Sequence, residues 1–206
     1  PEAIVVPDVA EAEPLRGYLE EFERLAARHG RDRVSLPGFG GGGVMRPELS
    51  GFSMHSPLTT AYKLRGLELF VDMEERPELA RRLFDAIRDT SFAIFDLLGP
   101  RLGLGRDLVF FAACCSSLVS PRVWSRWERP AMEEIAGRYG ARIAIHSCGR
   151  STHVLPEALS MPALVELHPG GQTDFALARR LAPDLPLMAI PDSVAWSRAA
   201  PADAAA

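Results

Sequence analysis

The sequence predicts an α/β protein in which helices cover a sheet of parallel strands, and three observations indicate this class. Short runs rich in Val, Ile, Leu and Phe alternate with amphipathic segments of helical period. The alternation repeats roughly every 20 to 35 residues, which is typical of successive β/α units. Glycine or proline ends most segments, which favours short connections. An open doubly wound sheet and a (β/α)8 barrel both fit, although no strand is followed by the Gly-rich dinucleotide fingerprint of many doubly wound sheets.

Each element follows from its own local pattern. Apolar residues at helical spacing predict helices over 13–29, 58–75 (with a break near Gly66), 76–98, 121–139, 154–159 and 175–181. Gly99-Pro100 is expected to end the long helix that begins near Pro77. Buried apolar runs predict about five strands, over 33–37, 108–112, 142–145, 164–167 and 187–190. The Gly-rich run 38–44 lacks the ending of a phosphate loop and is interpreted as a flexible loop.

The domain organisation is simple. We expect one domain over residues 1–195, followed by an Ala-rich tail over 196–206 that is disordered. The chain begins without methionine and ends inside that tail, so we expect a fragment of a longer protein. Five strands would then form part of a larger sheet or barrel.

Composition excludes several classes of function. The chain has 206 residues, is 47% hydrophobic and carries a net charge of −4, with Lys63 its single lysine. This balance argues against binding to nucleic acid or to an anionic membrane. No apolar run has the length of a transmembrane helix, and these residues show no signal-peptide pattern. Three cysteines cannot build a disulfide framework, so we expect a cytoplasmic protein.

The stretch from Ile143 to Gly149 contains the clearest candidate for chemistry. Three apolar residues lead directly into His146 and Cys148, at the expected carboxyl end of a buried strand. Positions i and i+2 of an extended segment point to the same side, so imidazole and thiol should share one small volume. Such an N/S pair suits zinc. The alternative is a hydrogen-bonded core histidine beside an inert buried cysteine.

Three blocks of sequence resemble the uroporphyrinogen decarboxylase superfamily. They are Ser56-Pro-Leu-Thr59 continuing to Gly66 and Arg76-Pro-Glu78; Leu118-Val-Ser-Pro121 with Trp124 and Pro130; and His146-Ser-Cys-Gly149 with Leu155-Pro156 and Glu166-Leu-His-Pro169. The likeness spans roughly residues 50 to 192. The H-x-C-G block is similar to the branch of cobalamin-dependent methyltransferases, because the porphyrinogen decarboxylases lack this His/Cys pair.

The resemblance implies an incomplete (β/α)8 TIM barrel with its site at the carboxyl ends of the strands. It also implies a zinc ion held by His146 and Cys148, with the family's third cysteine expected beyond the end of this chain. His168 is a further candidate metal ligand, and Glu166 and Ser116 are candidate substrate-binding residues. Zinc would activate a small thiol substrate to accept a methyl group from a methylcorrinoid, carried by a corrinoid protein as partner.

Several alternatives remain open from the sequence. Cys114 or Cys115 could supply the missing thiolate, although adjacent residues of a strand point to opposite sides. A cofactor-free decarboxylase acting on porphyrinogens would work by positioning and electrostatics alone. A non-catalytic or partial barrel would expose open sheet edges and would be expected to pair, for example as a homodimer.

Overall fold

The structure is a computed structural model that describes residues 4–34 and 50–198. The strands are β1 (Gly51–His55), β2 (Leu108–Ala112), β3 (Arg142–Ser147) and β4 (Leu164–Pro169). The helices are α1 (Glu13–His29), α2 (Pro57–Arg65), α3 (Glu68–Glu75), α4 (Pro77–Leu102), α5 (Pro121–Val123), α6 (Arg129–Tyr139), α7 (Leu155–Leu159), α8 (Phe175–Leu181) and α9 (Ser193–Arg198). A π-helical turn, Trp124–Glu128, joins α5 to α6, and 3-10 turns cover Arg31–Arg33, Cys114–Leu118 and Thr152–Val154.

The four strands form one parallel sheet in the order β1-β2-β3-β4. Each strand therefore pairs with the strand that precedes it in the sequence, and the sheet grows in one direction only. A doubly wound sheet reverses its strand order at a switch point, whereas a (β/α) barrel adds strands in one direction. Within the described residues the order is thus consistent with a partial barrel and confirms the parallel α/β class.

The two faces of the sheet differ in composition. Phe52, Val109, Phe111 and Ile143 belong to the hydrophobic core that the sheet shares with the helices. The alternate residues lie on the opposite face, and there the register places Ala112 beside His146 and His146 beside His168. Since strand residues alternate between faces, the apolar face receives the helices and the other face carries the polar candidates.

Aromatic packing anchors β1 to the helical layer. The rings of Phe52 and Phe95 stack with their centroids 4.0 Å apart, and both side chains are at most 2% exposed. Burial of each ring contributes on the order of 2 kcal/mol to the free energy of unfolding. This packing holds β1 against α4 and so places the end of β1 beside the end of β2.

The helix predictions are confirmed with one correction. The predicted helices over 13–29 and 175–181 match α1 and α8, and the break near Gly66 separates α2 from α3. The expected stop at Gly99-Pro100 is wrong, because α4 continues through Pro100 to Leu102. Pro100 lies in the last turn, where its missing N–H removes only one helical hydrogen bond, and Gly103 ends the helix in the left-handed conformation. Over residues 4–34 and 50–198, α4 and the other helices lack the combination of length and apolarity needed to cross a membrane.

The strand predictions are confirmed at three places. Those over 108–112, 142–145 and 164–167 correspond to β2, β3 and β4, and the last two extend further than predicted. The run 187–190 forms isolated bridges, Leu187 with Leu167 and Ile190 with Gly170, rather than a continuous strand.

The first strand of the structure, β1, was not predicted from the sequence. Arg33 lies in a 3-10 turn, and residues 35–49, including most of the predicted first strand and the Gly-rich run, lie outside the described residues. Of the Ala-rich segment, 196–198 belongs to α9 and 199–206 lies outside.

Candidate metal centre

The third strand brings two of the predicted metal donors to the rim, which is the edge of the sheet where the parallel strands end. Ile143, Ala144 and Ile145 are at most 3% exposed and fix β3 in the core. His146 follows them within the strand, and Cys148 lies in the bend just beyond it. His146 Nε2 is 2.9 Å from Cys148 Sγ. The contact confirms that the two side chains share one small volume.

Cys114 reaches the same place from the neighbouring strand. β2 ends at Ala112, and the pairing with β3 continues one residue further, because Ala113 N donates to the His146 carbonyl oxygen at 2.6 Å. The following 3-10 turn begins at Cys114, whose Sγ lies 3.1 Å from Cys148 Sγ. The donor atoms of Cys114, His146 and Cys148 all lie within 4.8 Å of one another. This group can hold a metal ion, and we call it the Cys-His-Cys group.

Cys115 turns away from this group. Its side chain is 6% exposed, and its backbone N–H donates to Thr59 Oγ1 at the start of α2, 3.2 Å away. Burial raises the pKa of Cys115, which keeps it a neutral thiol. Of the two cysteines that the sequence left as alternatives, Cys114 is therefore the one placed beside His146 and Cys148.

The donor set suits zinc in its chemistry and spacing. One imidazole nitrogen and two sulfurs are typical ligands of a catalytic zinc that keeps its fourth position open. Tetrahedral zinc with ordinary bond lengths separates such donors by about 3.5 to 4 Å. The observed distances of 2.9 and 3.1 Å between donor atoms are slightly shorter, so an entering ion would have to separate the donors by less than about 1 Å.

The thiol pair does not behave as two independent cysteines. The interaction with His146 is the main cause that lowers the pKa of Cys114 to about 7. Burial, followed by the neighbouring Cys114, raises the pKa of Cys148 to about 11. The first proton therefore leaves the pair near neutral pH, while burial of Cys148 and repulsion between two adjacent thiolates retain the second. A divalent cation would relieve this repulsion, because metal ligation favours the thiolate form.

The bend that carries Cys148 is held by residues that follow β4. Thr173 Oγ1 donates to the Gly149 carbonyl oxygen at 3.1 Å and accepts from Ser151 N at 3.1 Å. Gly170 packs directly under the bend, where an added Cβ would lie 2.5 Å from the Cys148 carbonyl oxygen. The position of Cys148 thus depends on a close backbone approach that only glycine permits.

Gly170→Ala should therefore weaken metal binding without removing any donor. The new methyl group would push the Cys148 bend away, and we expect at least about a tenfold loss of zinc affinity, comparable to losing an outer partner of a metal ligand. Competition against a chromophoric chelator measures this affinity. Gly137→Ala is the matched control, because an added Cβ there would meet no atom within 4 Å outside the neighbouring backbone of α6. Equal zinc affinity of the two variants would contradict the role of Gly170.

Glu166 and His168 lie together on β4, on the same face as His146. His168 is 2% exposed and its Nε2 is hydrogen-bonded to Glu166 Oε1. The ring of Phe110 packs against both histidines, with its centroid 5.3 Å from that of His168 and 6.4 Å from that of His146, and the two histidine rings are 6.4 Å apart. The structure confirms that Glu166 and His168 share one side. It does not bring His168 into the Cys-His-Cys group, so its role as a ligand stays a prediction.

Ser116 lies beneath the rim rather than on it. Its side chain is 3% exposed, and its Oγ accepts a hydrogen bond of 3.0 Å from Trp124 Nε1. Trp124 is 1% exposed and packs in the hydrophobic core, as expected of a helix-packing residue. In this structure Ser116 holds the tryptophan, and its contact with a substrate stays a prediction.

Two features of the rim were missed from the sequence. The first is the support of the Cys148 bend by Gly170 and Thr173. The pair Gly170-Gly171 directly after a strand is a sequence signal for such a close backbone approach.

The second feature is His55, which ends β1 on the same register row as Ala112 and His146, and its Nε2 is 2.8 Å from Lys63 Nζ. Burial, then the charge of Lys63, lowers the pKa of His55, so it is neutral at pH 7.

Comparison with known proteins identifies a structural relative. No family model and no curated protein sequence matches the chain. Among solved structures, a methyltransferase from Methanosarcina mazei superposes with a TM-score of 0.55 at 16% sequence identity. The match covers 79% of this chain and 44% of the methyltransferase, so the chain spans less than half the length of that relative. The chain therefore shares the fold of part of a methyltransferase.

Proposed function

We propose that the chain is the metal-binding part of a (β/α)8-barrel methyltransferase of the uroporphyrinogen decarboxylase superfamily. The observation that carries this proposal is the convergence of Cys114, His146 and Cys148 at the rim of a sheet with a methyltransferase fold. Catalytic groups of barrels gather where the strands end, and the Cys-His-Cys group lies there. The H-x-C-G block supports the methyltransferase branch of the superfamily.

The residues of the Cys-His-Cys group have defined parts in this mechanism. His146 Nε2 and the two sulfurs would hold zinc, which supplies a Lewis acid that keeps the acceptor thiol deprotonated at neutral pH. Because the pKa of Cys114 is near 7, this thiol can lose its proton and bind a cation at neutral pH with little expense of free energy. Thr173 and Gly170 keep Cys148 in place, and the acceptor would occupy the remaining position. The methyl group would come from a methylcorrinoid on a partner protein.

A cavity lies beside β1, and its lining does not include Cys114, His146 or Cys148. Its volume is about 680 Å³, and its walls include Ser53, Met54 and His55 of β1 and Ala112 of β2. Ala112 is paired in register with His146, so the cavity ends one strand away from the metal donors. Helix α4 supplies its apolar wall.

The test combines metal analysis with a methyl-transfer assay. We expect the reduced protein to retain about one zinc per chain and to demethylate methylcobalamin in the presence of a small thiol, followed by the absorbance of the corrinoid. Chelation of zinc should stop the transfer, and added zinc should restore it. Transfer that survives complete removal of zinc would overturn the proposal. Turnover of uroporphyrinogen that survives Cys148→Ala would favour the decarboxylase alternative.

A further inference from the structure

The Cys-His-Cys group contains a pair of sulfurs that are close enough for a second chemistry. Cys114 Sγ and Cys148 Sγ lie 3.1 Å apart although 34 residues separate them in the chain. A disulfide has its sulfurs about 2.05 Å apart, so the two atoms need to approach by about 1 Å. Cys115, the third cysteine, is buried against α2 and takes no part. One specific pair among three cysteines is therefore positioned to be linked.

Both cysteines lie where small movements are possible without disturbing the sheet. Cys148 is exposed and follows the end of β3 in a bend that continues with Gly149. Cys114 is partly exposed and begins a 3-10 turn after β2. Neither residue belongs to a strand, so rotation of the two side chains can bring the sulfurs together while Thr173 and Gly170 continue to hold the backbone of the Cys148 bend. A small oxidant can reach the pair from solvent through Cys148.

We propose that Cys114 and Cys148 form a redox-active dithiol, which a hydroperoxide oxidises to an intramolecular disulfide when no metal is bound. The proposal goes beyond methyl transfer and does not depend on it. Because the same two sulfurs are metal donors, oxidation and metal binding exclude each other. The disulfide would leave His146 as the single remaining donor of the group, which is too few to retain zinc.

The chemistry balances with the hydroperoxide as the single oxidant. The Cys114 thiolate attacks the peroxide, so that an S–O bond forms, the O–O bond breaks and an alcohol or water leaves after taking up a proton. The Cys148 thiol then attacks the sulfur of the sulfenic acid, so that the S–S bond forms, the S–O bond breaks and the leaving hydroxide takes up the thiol proton as water. Two thiols are thereby oxidised by two electrons while one peroxide is reduced. A small dithiol reverses the step by thiol–disulfide exchange.

The experiment follows free thiols and the linked peptides in the metal-free, reduced protein. One equivalent of hydrogen peroxide should lower the thiol titre from three per chain to one, and dithiothreitol should restore it. Trypsin should release residues 107–122 joined to 143–150, and the same linkage in Cys115→Ala identifies Cys114 as the partner. Prior loading with zinc should prevent the loss of thiols. A titre that stays at three, or a linkage through Cys115 or between chains, would overturn the proposal.

Two further variants separate this dithiol from the metal function. His146→Ala removes a metal donor but neither sulfur, so its metal-free form should still lose two thiols. Cys114→Ser should leave the peroxide-treated protein without the linked peptides. Disulfide formation in a protein that never binds zinc would refute the metal site and retain the dithiol. Zinc binding without disulfide formation would retain the metal site and refute the dithiol.

Discussion

Replacement of Cys148 by alanine should lower the affinity of the chain for zinc by about 100-fold or more. Losing an outer partner of a metal ligand already costs about 10- to 100-fold, and Cys148 is itself a donor at the centre of the group. It contacts both other donors, at 2.9 Å from His146 Nε2 and 3.1 Å from Cys114 Sγ. Without it, two donors remain, and zinc would have to fill half its coordination sphere with water.

Zinc content after dialysis and competition with a chromophoric chelator measure this effect. Cys115→Ala is the matched control, because it also removes a cysteine thiol, but one that is buried and faces α2. His168→Gln tests the additional ligand predicted from the sequence, since glutamine can still hydrogen-bond Glu166. We expect Cys115→Ala to bind zinc as the wild type does, and a loss of zinc affinity in His168→Gln would confirm His168 as an additional ligand. Unchanged zinc binding by Cys148→Ala would refute the Cys-His-Cys group as the metal site.

The first strand shows why part of the fold could not be predicted from sequence. β1 is five residues long and begins with Gly51, a residue that usually indicates a turn. In the structure Gly51 lies so close to β2 that an added Cβ would be 1.8 Å from the Leu108 carbonyl oxygen. Glycine is therefore required by a contact with a residue far along the chain. Local patterns predict β2, β3 and β4, whose runs are long and apolar, but they contain no information on such a contact.

The Cys-His-Cys group likewise depends partly on local and partly on long-range information. The i, i+2 geometry of one strand is local, and it predicts that His146 and Cys148 share a side. The third donor depends on which strand lies beside β3 and on how far their pairing continues. Ala113 extends that pairing beyond β2, which sets Cys114 against Cys148. Strand order and register are tertiary properties, so the sequence left Cys114 and Cys115 as alternatives.

A second large effect is expected from Glu128, a buried carboxyl group away from the metal donors. Its side chain is 0% exposed, and its Oε2 accepts a hydrogen bond of 2.7 Å from Leu58 N in the first turn of α2. Oε1 has no hydrogen-bond partner within residues 4–34 and 50–198. Burial, opposed by hydrogen bonds from Ser56 and Leu58, raises the pKa of Glu128 to about 7.

The raised pKa determines the direction in which stability changes with pH. The unfolded carboxyl titrates near 4.5, so between about pH 4.5 and 7 the folded chain retains a proton that the unfolded chain has lost. The contribution of Glu128 to the free energy of unfolding is therefore complete below pH 4.5 and is lost as the pH rises through 7. The loss amounts to about 3 kcal/mol, since one pKa unit corresponds to about 1.4 kcal/mol.

Glu128→Gln should remove this decline, because glutamine keeps an oxygen that accepts from Leu58 N and carries no charge at any pH. We expect the free energy of unfolding of the variant to exceed that of the wild type by up to about 3 kcal/mol at pH 8 and by less than about 1 kcal/mol near pH 4.5. Urea denaturation across this range measures the difference, with Glu74→Gln on the exposed side of α3 as the control. Parallel pH profiles for wild type and Glu128→Gln would mean that the buried carboxyl does not titrate in this range. If the difference in the free energy of unfolding between the two proteins instead grows as the pH rises, the ionised carboxylate is the destabilising form, since the hydrogen bond to Leu58 is common to both proteins.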